Sequence, residues 1–177
     1  GPYGVLFLCR VRRYRLLAIF VETSDRKHVI KVIMSNNRIT DIRSVDHIFF
    51  IGVAGVGMSA IAQFLAGIGK EVSGSDRYFK AGTFNDTRTK LEAESIRCFE
   101  QNGEGITAAT QLVVVSTAIE DTVPEVQKAR QLDIPILRRS EVLALIAATR
   151  KTIAVGGTSG KSTTSAMLFD ILQHAGL

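Results

Sequence analysis

Twice in this chain a short apolar run passes through a glycine-rich turn into a segment with helical spacing. That junction limits the possible folds more than any other feature. The first begins at His47–Ile51 and continues through Gly52, Val53, Ala54, Gly55, Val56, Gly57, Met58 and Ser59. A helix follows over 58–68, with Met58, Ile61, Ala62, Leu65, Ala66 and Ile68 on one face, and Gly69 stops it as a C-terminal glycine does. The second has an apolar run at 152–155, a turn at 156–160 and a helix over 161–174.

Between the two junctions the alternation continues. Strands are expected at 71–75, 96–99, 112–115 and 134–137, the last an edge strand because it contains Pro135. Helices are expected at 86–95, at 124–131 with Pro124 in its first turn, and from a Ser140 cap to about 148. Strands separated by helices form a parallel sheet covered on both faces. The predicted fold is therefore α/β, with a Rossmann-like sheet over 47–150. A basic extension over 1–46 precedes it, read as a β-hairpin, and the first βα unit of a P-loop ATP-binding domain follows over 151–177.

Composition narrows the function classes. Residues 1–46 hold nine bases against four acids, so the chain's entire net charge of +5 lies there and residues 47–177 are neutral. A basic surface for nucleic acid is thereby disfavoured over the α/β part. The run Arg10–Arg15 reads as a solvated face or terminal extension rather than a phosphate or membrane contact. With 46% apolar and 22% charged residues, the chain is not mainly disordered. Two cysteines build neither a disulfide framework nor a cysteine zinc site, and a reduced, cytoplasmic setting is expected. The apolar runs near the amino terminus are broken by Arg10, Arg12, Arg13 and Arg15, so stable membrane insertion is not expected.

Each glycine turn has its own chemistry. Backbone N–H groups at a helix amino end can hold a pyrophosphate, and glycine lets the oxygens come close. In the first turn Gly52 and Gly57 fit the dinucleotide pattern, but Ala54 takes its middle position. Asp76, 19 residues after Gly57, stands where a carboxylate meets a ribose. The second turn, Gly156-Gly157-Thr158-Ser159-Gly160-Lys161-Ser162-Thr163, is a shortened Walker A sequence. The amides from Thr158 to Lys161 can cradle phosphates, Lys161 can reach the β and γ oxygens, and the Ser162 hydroxyl can ligate Mg²⁺. Two such loops suggest that one nucleotide is part of a substrate while another drives the reaction.

At these residues the sequence resembles the Mur ligases, ATP-dependent enzymes that add amino acids to UDP-N-acetylmuramate. The likeness lies in 47–59, in Ser73-Gly74-Ser75-Asp76, in 114–119, in Pro-Ile-Leu-Arg-Arg-Ser-Glu at 135–141, and in 154–164. Gly-x-Gly-Met-Ser with Ser-Gly-Ser-Asp is most similar to the branch that adds L-alanine, and the murein-peptide recycling branch comes second. The resemblance implies that Gly55, Val56, Gly57, Met58 and Ser59 meet the UDP pyrophosphate. Asp76, Ser116, Thr117 and Ala118 would surround the uridine and sugar, with Arg139 near the phosphates or carboxylate. Thr158, Ser159, Gly160, Lys161, Ser162 and Thr163 would form the ATP and Mg²⁺ site, with Lys161 the catalytic group. UDP-N-acetylmuramate and L-alanine are the implied substrates, and the chain alone is expected to be inactive.

Ala54 departs from the glycine usual in the alanine-adding branch. Ser159 and Ser162 replace the histidine and threonine of the common ATP loop. Two other classes stay open on the residues alone. An NAD-dependent oxidoreductase is favoured by the first loop with Asp76, and a non-catalytic binding module by the brevity of the ATP-binding segment. The sequence leaves open the amino acid added and the oligomeric state.

Overall fold

The computed structural model describes residues 39–80, 82, 85–116, 121–149 and 152–176. The hairpin expected at 14–46 falls almost wholly outside them; a short 3-10 turn, Ile42–Ser44, occupies its described end. Two compact units are present, Met34–Ile146 and one that includes 147–176.

The larger unit is a five-stranded sheet of order β3-β2-β1-β4-β5. Its strands are β1 (His47–Ile51), β2 (Glu71–Asp76), β3 (Arg97–Glu100), β4 (Leu112–Val115) and β5 (Ile136–Arg138), and every pairing is parallel. β1 is central, with Ile51 opposite both Ser75 and Val115. The chain steps outward to β2 and β3 on one side, then returns to β4 and β5 on the other. The carboxyl ends of β1 and β4 therefore flank the place where the strand order reverses, and open α/β sheets bind ligands at such points.

Alternation along β1 shows why both faces are covered. Phe49 and Ile51 pack with Ile106, Val113, Val126 and Ala129, the last two from α3 (Pro124–Gln131). Ile48 and Phe50 point the other way and are also buried. Fully burying one such side chain stabilises by about 1.5–3 kcal/mol, so this strand alone is a large part of the core. α1 (Val56–Gly67) buries Met58, Ile61, Ala62 and Leu65. α2 (Asp86–Ala93) is capped by Asn85, whose side chain accepts the Arg88 amide at 3.0 Å. Gly74 marks a close approach, because a Cβ there would lie 2.7 Å from both the Phe50 carbonyl oxygen and the Val53 Cβ.

Several expected boundaries hold, including those of β4, α3 and α5 (Lys161–His174). Others differ for local reasons. α1 begins two residues early because Gly55 already takes the cap position. α4 (Arg139–Ala148) is not capped by Ser140, which lies inside it. Glu141 reaches back instead and accepts the Arg138 amide at 2.7 Å. The run 152–155 is not a strand, since no described strand pairs with it and extended backbone without a ladder is only loop.

Candidate functional site

The first glycine turn leaves β1 and crosses toward α1 over the end of β2, the amides of Gly52 and Val53 both donating to the Ser75 carbonyl, at 2.8 and 3.1 Å. Gly55 is the N-cap of α1 and offers no side-chain cap. Its carbonyl accepts the Met58 and Ser59 amides at 2.9 and 2.8 Å, the first bonds of the helix. The N–H groups of Val56 and Gly57 precede those bonds and face outward at the positive end of the helix dipole.

Arg139 closes the other side. A Cβ on Gly57 would lie 2.3 Å from Arg139 Nη1 and 3.1 Å from its Cζ, so the guanidinium rests directly against the glycine. Arg139 is also the first residue of α4. The amino end of α1 and a guanidinium thus meet at Gly57. Repulsion among like partial charges makes such a place receptive to an anion.

Asp76 is 6% exposed, and both its oxygens serve backbone amides. Its Oδ2 accepts the Ala54 amide at 3.0 Å and its Oδ1 the Tyr78 amide at 3.1 Å. The Phe79 amide donates to the Asp76 carbonyl at 3.0 Å, which closes a turn over Asp76–Phe79. The sequence reading missed this turn, although an Asp with its oxygen free to accept the amide two residues on is a known turn former.

The remaining residues of the first site divide. Met58 is 2% exposed, its side chain in the core, so only its backbone belongs to the turn. Val56 is 81% exposed. Ser59 donates its hydroxyl to the Val56 carbonyl at 3.1 Å. Ser116 directly follows β4 at the carboxyl end of the sheet and is half-buried. Thr117 and Ala118 lie outside the described residues. A cavity of about 270 Å³ opens at the other end of the strands, where Glu71 pairs with both His47 and Arg97; none of its lining residues was expected in a site.

The second turn is described within its own unit. Gly160 caps α5 in the left-handed region, at φ 77°, where other residues are strained. Lys161 Nζ curls back and donates to the carbonyls of Gly157 at 2.5 Å and Thr158 at 3.3 Å. Thr158, Ser159, Ser162 and Thr163 are exposed around it. The Ser162 hydroxyl, an exposed hard oxygen donor in the first turn of a helix, suits Mg²⁺.

A parallel sheet with a glycine turn at its switch point is the framework of nucleotide-binding α/β proteins. Within that class, the chain belongs to the Mur ligase family: the family model described as "Mur ligase family, catalytic domain" matches residues 47–151. It is 38% identical over 135 residues to a UDP-N-acetylmuramate–L-alanine ligase of Mesorhizobium japonicum, covering 76% of this chain and 28% of that protein. It is 40% identical over 131 residues to the enzyme of the same name from Solibacter usitatus, covering 74% of this chain and 27% of the relative. The chain thus spans a little over a quarter of the length of these relatives. Among solved structures, the UDP-N-acetylmuramate-alanine ligase of Thermotoga maritima superposes with a TM-score of 0.62 at 30% identity, over 73% of this chain and 29% of that one. The UDP-N-acetylmuramate:L-alanyl-gamma-D-glutamyl-meso-diaminopimelate ligase from Neisseria meningitides gives 0.61 at 28%, over 75% and 41%. Among the described residues, no helix is long and apolar enough to cross a membrane.

Proposed function

We propose that this chain is the UDP-N-acetylmuramate-binding part of an ATP-dependent ligase that joins L-alanine to that nucleotide sugar. The observation that carries the reading is the convergence of Arg139 on Gly57 at the switch point, in a chain 38–40% identical to alanine-adding ligases over three quarters of its length. The amides of Val56 and Gly57 with the Arg139 guanidinium receive the pyrophosphate, and Ser59, Asp76, Ser116, Thr117 and Ala118 border the uridine and sugar. Residues 47–150 act as the nucleotide-sugar domain and 151–177 open the ATP-binding domain, with 1–46 as a basic extension. The identities to the two alanine-adding relatives favour this reading over the murein-peptide recycling branch, whose structure from Neisseria meningitides is 28% identical.

The reaction activates a carboxylate. The sugar's lactyl carboxylate attacks the γ-phosphorus of ATP, ADP leaves, and the alanine amine then displaces phosphate from the acyl phosphate. Lys161 follows the transferred charge, and the backbone amides from Thr158 to Lys161 hold the phosphates. Ser162 would hold Mg²⁺, which supplies charge neutralisation on those phosphates. Cytoplasmic location follows from dependence on ATP and a nucleotide sugar. Calorimetry with UDP-N-acetylmuramate tests the reading: saturable binding is expected, and no heat at millimolar ligand with the fold intact would refute it.

A further inference from the structure

Arg139 reaches Gly57 from the first position of a helix that follows its strand without a spacer. β5 ends at Arg138 and α4 begins at Arg139, so a single peptide bond carries the chain from sheet to helix. Arg138 is paired with Val115 of β4, which fixes the strand side of the junction. The helix side needs its own tie, because the amides at a helix start have no partner within the helix. Arg138, at the cap position, has a side chain of donors only and cannot accept them.

Glu141 supplies the tie. Its Oε2 accepts the Arg138 amide at 2.7 Å, reaching back across Arg139. This is the carboxylate half of a capping box, with no hydroxyl at the cap to complete it. Charge strengthens the bond, and a carboxylate in the first turn suits the positive end of the α4 dipole. Arg139 is therefore held from both sides, by the strand pairing of Arg138 and by the bond that spans it. Its stem as well as its guanidinium lies on the glycine: a Cβ at Gly57 would be 3.4 Å from Arg139 Cδ. Turning the start of α4 would carry that stem off Gly57, so the first turn of α4 decides where the charge stands.

We infer that Glu141 is a positioning residue for the pyrophosphate of the nucleotide sugar, acting through Arg139 rather than by contact with the ligand. This rests on the proposed binding of that sugar at Gly55–Ser59 and Arg139. The carboxylate that starts α4 thereby also sets the place of a cation in the anion-receiving turn.

Calorimetry of the 177-residue chain with UDP-N-acetylmuramate tests this through Glu141→Gln, Glu141→Ala, Arg139→Ala and the double alanine variant. Glutamine keeps an oxygen that can accept the Arg138 amide, and its variant should stay within about threefold of the parent. Arg139→Ala should weaken binding about tenfold or more, as losing a hydrogen bond to a charged group does. Glu141→Ala should weaken it roughly three- to tenfold, and its melting temperature should fall by a few degrees, roughly the worth of a cap. The two affinity losses should not add, so the double variant should bind as Arg139→Ala alone does. If Glu141→Ala melts below the working temperature, Glu141→Asp, with its acceptor drawn back by one methylene, runs the same cycle. Losses that add in full overturn the positioning role, because a purely structural cap would act whether or not Arg139 is present. So does a Glu141→Ala variant that binds like the parent, or a glutamine variant as weak as alanine. A parent that fails to bind defeats the underlying site reading instead, and the positioning role with it.

Discussion

The Arg139 guanidinium fills the space that a side chain at Gly57 would occupy, with Nη1 2.3 Å from the position of a Cβ. A cation at a helix amino end opposes the dipole by a few tenths to about 1 kcal/mol, so the arrangement favours an anion between them. Gly57→Ala should displace the guanidinium, because the side chain is exposed and can swing away, whereas the α1 backbone cannot. Stability should hold or rise slightly, since alanine exceeds glycine in helix propensity by about 1 kcal/mol. UDP-N-acetylmuramate affinity should fall about tenfold or more, the worth of a hydrogen bond to a charged group. Paired melting and calorimetry would test this, and a variant that keeps full affinity would contradict the anion role of Arg139.

Asp76 offers the opposite balance of stability and binding. Both its oxygens accept half-buried backbone amides. In Asp76→Asn, one of those amides would face an N–H donor. The cost should be about 1–3 kcal/mol, that of leaving a buried donor unsatisfied. Urea unfolding should show a lower midpoint, and UDP-sugar affinity should fall with it because the turn loses its tie to β2.

What the sequence made legible follows from local chemistry. Pro124 and Gly69 punctuate helices wherever they occur, so α3 and the end of α1 could be read from neighbouring residues alone. The two glycine turns were readable for the same reason. Tertiary arrangement was not. That Arg139 rests on Gly57 depends on β5 and α4 returning beside α1, across 82 residues of chain. The hold of Asp76 on the Ala54 amide depends on where the turn after β1 passes over β2. Ser140 was mistaken for a cap because the competing acceptor, Glu141, lies one residue further on.

Cys98 lies on β3 and is buried, and burial, with Glu92 nearby, pushes its thiol up to about 12. At pH 8 only about one molecule in ten thousand carries the thiolate. Iodoacetamide should therefore leave Cys98 unmodified in the folded chain and label it readily in urea, as peptide mass mapping would show. Linkage fixes the sign of its effect on stability. The unfolded thiol loses its proton near 9 and the folded one near 12, so above pH 9 the unfolded state binds fewer protons. Stability should decline from about pH 9 upward, and Cys98→Ala should flatten that part of the profile.

Lys161 sits on its own loop, with Nζ donating to the Gly157 and Thr158 carbonyls. These two bonds leave the third N–H of the ammonium for a phosphate, and releasing either would be a small cost against pairing with a polyanion. Lys161→Ala in the complete ligase should abolish turnover, because no other residue of the 156–163 turn carries a positive charge. UDP-N-acetylmuramate binding should stay within about twofold, since its proposed site is built from Gly55–Ser59, Asp76 and Arg139. Turnover by the steady-state assay and binding by calorimetry would separate the two loops. Equal loss of both would contradict their division of labour.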